Sequence, residues 1–284
     1  MFKQEWKYYL DTNSVRKLAP CLKGCKNVGA FISIWTICEM LGHVFKHPVE
    51  YDKIKSNLKA IQESGMSIVM MMPLELHYKA FSIPIPSNIT SHNVLIMALL
   101  LMIVDSYEKW LKKIDFYSLS STCEFVKEID NATPRLNLNI KQQFDNNIST
   151  RESIRKYKEF WRTEDKELTH KRLLEYYVDG FIEDHEDIRE MGVLLGMSYE
   201  ELKQLLCDAY DGSIDVAFRV NACMVDKKVC YRELFRRNDD TDMMHLYYLI
   251  DDTKFVTDDN RLRENINAEF PGRAMSVEEF RKIL

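Results

Sequence analysis

Two short apolar runs that end in acids stand near opposite ends of the chain: Tyr8-Tyr9-Leu10-Asp11-Thr12-Asn13 and Lys254-Phe255-Val256-Thr257-Asp258-Asp259-Asn260. Each reads as a strand that brings carboxylate and Thr side chains to its carboxyl end, and ligands of open α/β sheets sit in the crevice beyond those ends. Carboxylates gathered there suit a hard divalent cation. Mg²⁺ held by a few carboxylates plus water is the common choice in phosphate chemistry. Two intervening segments can each add an acid. Phe31 to His43 reads as a helix, apolar on most sides, whose one carboxylate, Glu39, stands among Trp35, Cys38 and Leu41. An ionised acid in such company is costly unless it is paired or on a metal. Asn238-Asp239-Asp240-Thr241-Asp242 reads as the capped start of a second helix. Asp239, Asp242 and His245 fall three apart on one face, and Asp240 falls on another, where a change to Asn is expected to do little.

Taken in this order, the four motifs resemble those of the PIN domain, a metal-dependent nuclease family related in architecture to the flap endonucleases. Its pattern is a first strand ending in Leu-Asp-Thr-Asn, a Glu on a following helix, an Asp on a later helix, and a strand ending in Val-Thr-x-Asp. The resemblance covers roughly residues 1–75 and 225–270. It implies an α/β fold, a three-layer α/β/α PIN-like core with a parallel sheet. Asp11, Glu39, Asp242 and Asp259 would be the catalytic metal ligands, directly or through water. Thr257 would orient the last acid or a ligand water, and Asp239 and Asp258 are the alternates for Asp242 and Asp259. The third acid would open a helix of about four turns leading to the last strand. The implied cofactor is Mg²⁺ or Mn²⁺, and the implied reaction is hydrolysis of phosphodiester bonds in single-stranded RNA by a metal-activated water. Bacterial PIN toxins and host-defence nucleases are the kin implied, with an antitoxin or defence-system protein as partner. No residue separates RNA from single-stranded or flap DNA.

Other readings of the same residues stand beside this one. Asp11 suits a helix cap, Asp239 and Asp242 suit the dipole at a helix start, Glu39 suits a buried pair with Lys or Arg, and Asp258 and Asp259 suit a turn with Asn260. His245, between Met244 and Leu246, reads as a packed residue or as a proton relay. A catalytically degenerate interaction module is the competing function class. A phosphatase is disfavoured because no second Asp follows Asp11 by two residues.

Strand signals are scarce between residues 90 and 225, which predicts a core built from 1–75 and 225–284 and a mostly α-helical insertion over 90–225. Helices are predicted over Tyr51 to Ser64, ended by Gly65, then over Val94 to Lys113, Ser118 to Ile129, Thr150 to Arg162, Leu168 to Gly180, and Tyr199 to Tyr210 behind a Ser198–Glu201 capping box. Met66 to Pro73 reads as the second sheet strand.

The longest apolar run, Val94 to Val104, is eleven residues and too short to span a bilayer, so no membrane is expected. Lys3, Glu5 and Lys7 interrupt any signal architecture, and seven cysteines without a disulfide framework suit a reduced, cytoplasmic setting. A homo-oligomer is compatible with all of this. Net charge of −5 is unusual for a nucleic-acid binder, but basic residues are locally dense. Lys17, Lys23 and Lys26 follow the first acid. Arg151, Arg155, Lys156, Lys158, Arg162, Lys166, Lys171 and Arg172 interleave with Tyr157, Phe160 and Trp161. That stretch suits a grip on a single strand or an ordinary charge-balanced helix pair. Cys21-x3-Cys25 and His43-x3-His47 resemble zinc-ligand pairs, but seventeen residues intervene, and Glu39, His43 and His47 share a helix face that suits lining the crevice; Asp187 to Leu206 has a helix-turn-helix flavour that two ordinary helices explain as well.

Overall fold

The computed structural model describes residues 7–85, 90–129, 166–236 and 239–284, with Asn137, Leu138, Lys141, Glu152, Arg155 and Glu159 between them. Strand β1 (Tyr8–Leu10) leads to helices α1 (Thr12–Leu18) and α2 (Leu22–Cys25), then β2 (Ala30–Ser33), α3 (Ile34–Lys46), α4 (Tyr51–Ser64), β3 (Ser67–Val69) and α5 (Pro73–Ala80). A helical stretch follows: α6 (Thr90–Ile103), α7 (Tyr107–Phe116), α8 (Ser120–Glu128), α9 (Lys166–Asp184), α10 (Glu186–Leu194), α11 (Tyr199–Ala209) and α12 (Asp215–Tyr231). Helix α13 (Asp239–His245) then leads to β4 (Lys254–Val256), α14 (Asn260–Glu269), β5 (Ala274–Met275) and α15 (Val277–Arg281). Among the described residues no strand lies between β3 and β4.

All five strands are parallel, in the order β3-β2-β1-β4-β5. Helices flank the sheet, giving the expected α/β three-layer architecture with a helical region. Tyr9, Leu10, Phe31, Ile32, Phe255 and Val256 are fully buried, as strands covered on both faces require. Because the chain builds β1, β2 and β3 outward on one side and then returns to β4 on the other, the order reverses at β1. Tyr8 pairs with Lys254 and Leu10 with Val256, so the two acid-bearing strands are neighbours at this switch point.

Several boundaries differ from the sequence reading. The apolar start of the Glu39 segment is strand β2, and the helix begins only at Ile34, where Ser33 Oγ accepts from Thr36 N at 3.2 Å. A four-residue apolar strand cannot be told from a buried helix start by periodicity. Strand β3 is thereby the third strand of the chain, and β5, only two residues long, carries no sequence signal. The run from Val94 breaks at Ser106, whose hydroxyl caps α7. The helix opened by the third acid is only seven residues long. It tightens into a 3-10 turn at Leu246–Tyr248 and stops in a turn with Asp251 at φ 46°. The capping box at Ser198 forms, and Gly65 ends α4 at φ 64°, a conformation that costs glycine nothing.

Helix α3 lies against α8 at Gly42. A Cβ there would stand 3.0 Å from the Val126 carbonyl oxygen and 3.4 Å from Ile129 Cγ2. Gly42→Ala is therefore expected to destabilise the protein by ~1–3 kcal/mol through overpacking, despite the better helix propensity of Ala. The shift of the urea midpoint measures it, and an unchanged or higher midpoint would show that α8 yields freely.

Candidate functional site

Beyond the carboxyl ends of β1 and β4 opens a cavity of about 540 Å³ whose lining includes Asp11, Glu39, Asp242 and Asp259. Asp11, 5% exposed, caps α1 by accepting from Ser14 N at 2.7 Å, while Ser14 Oγ donates to the Val256 carbonyl at 2.7 Å and ties the cap to β4. Asp259 caps α14 in the same way, accepting from Leu262 N at 2.7 Å. Both acids thus cap a helix with Oδ1 and also line the cavity. Fully buried Thr257 joins the two acids: its hydroxyl accepts from Asp259 N at 3.1 Å and hydrogen-bonds the Asp11 carboxyl.

Glu39 comes from the middle of α3 and, among the described residues, has neither Lys nor Arg as its partner. Thr12 Oγ1 donates to its Oε2, and His245 Nε2 lies 2.7 Å from the same oxygen. His245 is thus a bridge, 2% exposed, with Nδ1 2.5 Å from the Tyr9 hydroxyl. Burial pulls its pKa down, but the Glu39 charge and hydrogen bond outweigh that and leave it raised. Asp242, on α13, is half-buried. Burial first, then the Glu39, Asp11 and Asp259 carboxylates, push it up to about 8, with His245 opposing. Asp11 is raised by burial, opposed by His245, Thr257 and Ser14.

The alternates have other engagements. Asp239 borders the cavity, but Arg261 is ion-paired to one of its oxygens and Arg236 N donates to the other at 2.9 Å. Asp258 lies outside the lining, paired with Lys17 and accepting from Val277 N at 3.2 Å. Asp240 is buried, at 2% exposure, rather than on a dispensable face.

Around the acids stand four cationic side chains that the sequence reading missed, Arg16, Lys46, Arg236 and Arg261, beside His43 and His47. Glu50 organises one side, taking Arg16 at 3.0 Å, His43 at 3.0 Å and Lys53 at 3.2 Å. The shared face of Glu39, His43 and His47 does line the crevice, as their four-residue spacing suggested. Most of the rim had no signal, because its members come from four separate elements; Tyr9 was legible only as the strand residue two before Asp11, hence on the same sheet face.

Among the described residues no three His, Cys, Asp or Glu side chains are gathered closely enough to hold a metal ion as they stand. The chemistry of the donors nevertheless fits a hard divalent cation. All four are carboxylates, and the repulsion from Glu39, Asp11 and Asp259 that adds to burial in raising Asp242 is what a cation would relieve. Zinc at Cys21, Cys25, His43 and His47 has no such support, for buried Cys25 is engaged with the Cys21 carbonyl at 3.8 Å and His43 with Glu50. Of the basic, aromatic stretch, Arg151, Lys156, Tyr157, Lys158, Phe160, Trp161 and Arg162 lie outside the described residues, as do the cap read at Asn238 and all of the helix read over Thr150 to Arg162 but Glu152, Arg155 and Glu159. Arg155 pairs with Glu159 at 3.4 Å. The helix-turn-helix flavour resolves into α10 and α11, packed beside α9. Among the described residues no helix is long and apolar enough to cross a membrane. No family model, curated protein or solved structure matches this chain.

Proposed function

We propose that this protein is a Mg²⁺- or Mn²⁺-dependent nuclease of the PIN type that hydrolyses phosphodiester bonds of single-stranded RNA. The observation that supports this is the meeting, in one cavity at the switch point of the sheet, of four carboxylates from four separate segments, with Asp242 pushed up to about 8. Asp11, Glu39, Asp242 and Asp259 would hold the cation. Bound there, a divalent ion lowers the pKa of a coordinated water and neutralises charge on a phosphoryl oxygen. Thr257 holds Asp11 and Asp259 in register, and no side chain need act as nucleophile. Arg16, Lys46, Arg236 and Arg261 at the rim, Arg16 and Arg261 among them already steadied by Glu50 and Asp239, suit contact with the phosphates on either side of the scissile one. A cytoplasmic toxin or defence role, with an antitoxin or defence-system protein as partner and room for a homo-oligomer, belongs to the same proposal.

The test is cleavage of labelled single-stranded RNA and DNA by wild type and Asp11→Asn in Mg²⁺, Mn²⁺ and chelator. Cation-dependent cleavage that prefers RNA and falls at least ~100-fold in the variant is expected. Equal cleavage by both proteins at matched purity would remove these residues from the reaction, and a preference for DNA would change the substrate. A non-catalytic module of the same fold is the second reading, favoured by the lack of a ready-made ligand group among the described residues. Wild type inert with every cation would establish it.

A further inference from the structure

The hydrogen bonds around Glu39 close into a ring. From Tyr9 on β1 the path runs to His245 on α13 at 2.5 Å, from His245 to Glu39 on α3 at 2.7 Å, and from Glu39 to Thr12 at the start of α1, three residues beyond Tyr9. Its members are not adjacent by chance of packing alone. An ionised carboxylate only accepts, so Thr12 Oγ1 and His245 Nε2 are both donors to Glu39 Oε2, and the polar atoms of Tyr9 and His245 are matched rather than merely buried. The Tyr9 ring is clamped between Tyr248 and Phe255, at centroid distances of 5.2 and 5.7 Å, and its hydroxyl also lies 2.7 Å from Ser33 Oγ on β2. That end of the ring is anchored in the sheet.

Each member is tied to an acid. Tyr9 and Thr12 bracket Asp11, and His245 stands one helical turn past Asp242. Thr257 extends the same connection to Asp259. We infer that Tyr9 and His245 are positioning residues: through this ring they set the separation of β1, α3 and α13, hence of the carboxylates those elements carry, and they fix which oxygen of Glu39 faces a ligand. With both donors on Oε2, Oε1 is the oxygen left to a cation. The inference rests on the nuclease reading of the cavity. Groups that orient ligands from behind are worth roughly ten- to a hundredfold in metal affinity.

The two nitrogens of His245 have different tasks, which gives a test that loss of packing would not mimic. Gln carries its amide three bonds from Cβ, as His carries Nε2, and keeps a donor for Glu39. Asn carries its amide two bonds from Cβ, at the place of Nδ1, and keeps only the contact with Tyr9. Mn²⁺ binding to the full chain is measured by calorimetry and by the Mn²⁺ spin-resonance signal, without substrate, beside thermal melting and kcat and KM on RNA. His245→Asn is expected to weaken Mn²⁺ binding ~10- to 100-fold and lower kcat with KM unchanged, while His245→Gln stays within about threefold of wild type. Tyr9→Phe keeps the ring stacking and should weaken binding several-fold. Combined with His245→Asn, it should add little, because the ring is already open at Glu39. Equal losses of Mn²⁺ affinity in the Asn and Gln variants, or wild-type affinity in His245→Asn with only a lower melting temperature, would overturn the positioning role. Wild type that binds no Mn²⁺ would overturn the nuclease reading itself, a result seen before any variant is compared.

Discussion

Asp242→Asn is expected to lose cation-dependent cleavage by at least ~100-fold and yet to melt higher than wild type in chelator at pH 8. Both follow from one fact: burial and three neighbouring carboxylates push Asp242 up to about 8, so its charge is unwelcome unless a cation accompanies it. The native state holds a proton on this group that the unfolded chain has already released, so stability falls as pH rises from about 4 towards 8. Asn keeps the shape and removes that decline. Allowing for the half-buried position, the gain at pH 8 is on the order of 2–3 kcal/mol, or roughly 4–8 °C in melting temperature. A variant that melts lower than wild type at pH 8 in chelator, or that cleaves undiminished in Mn²⁺, would refute the account. Asp240→Asn is a poor control because Asp240 is buried. Asp252, fully exposed and 3.8 Å from Arg273, serves better.

A second large effect lies away from the cavity and has the opposite sign. His77 on α5 packs against Tyr177, Phe181 and Tyr247, with ring centroids 5.1, 5.3 and 4.7 Å away, and its sealed Nε2 has no hydrogen-bond partner among the described residues. Burial, assisted by His185, lowers its pKa to about 3. The neutral ring therefore contributes stability that is complete above about pH 6.5 and is lost as pH falls towards 3. Between pH 7 and pH 5 the loss is ~1–2 kcal/mol, and His77→Phe should abolish it. Urea unfolding across that range, variant against wild type, isolates the effect from Asp242, which gains stability on acidification. Parallel slopes in the two proteins would rule it out.

What the sequence disclosed was set by how local each signal is. Strand β1 with Asp11, and β4 with Thr257 and Asp259, are legible because each is a short, continuous apolar run with a sharp polar end and an acid directly beyond it. Place on the helix does not choose between Asp242 and Asp239, for both begin it, and only the motif resemblance put Asp242 first. Only the partners Arg261 and Arg236 N, from α14 and the preceding loop, show Asp239 to be engaged elsewhere. Nor could His245 be told from a core histidine until its contacts with Tyr9 and Glu39 were seen. Strand β2 was hidden by its continuity with an apolar helix, and β5 by a length of two residues. Features defined by pairing with a distant partner leave no local trace.

The pairing of Tyr8 with Lys254 also bears on how the molecule comes into being. Lys254 follows its partner Tyr8 by 246 residues, so β4, and with it Thr257 and Asp259, leaves the ribosome on the order of 10–50 s after the central strand at ordinary elongation rates. During that interval β1 has β2 on one side and an open edge on the other, while Asp11 lacks Thr257 and Ser14 lacks the Val256 carbonyl. Contacts of high sequence separation are the slow ones to form. The cavity therefore exists only once β4 has been made, and a nascent chain that has not reached Asp259 lacks one of the four carboxylates and the Thr257 that ties Asp11 in place.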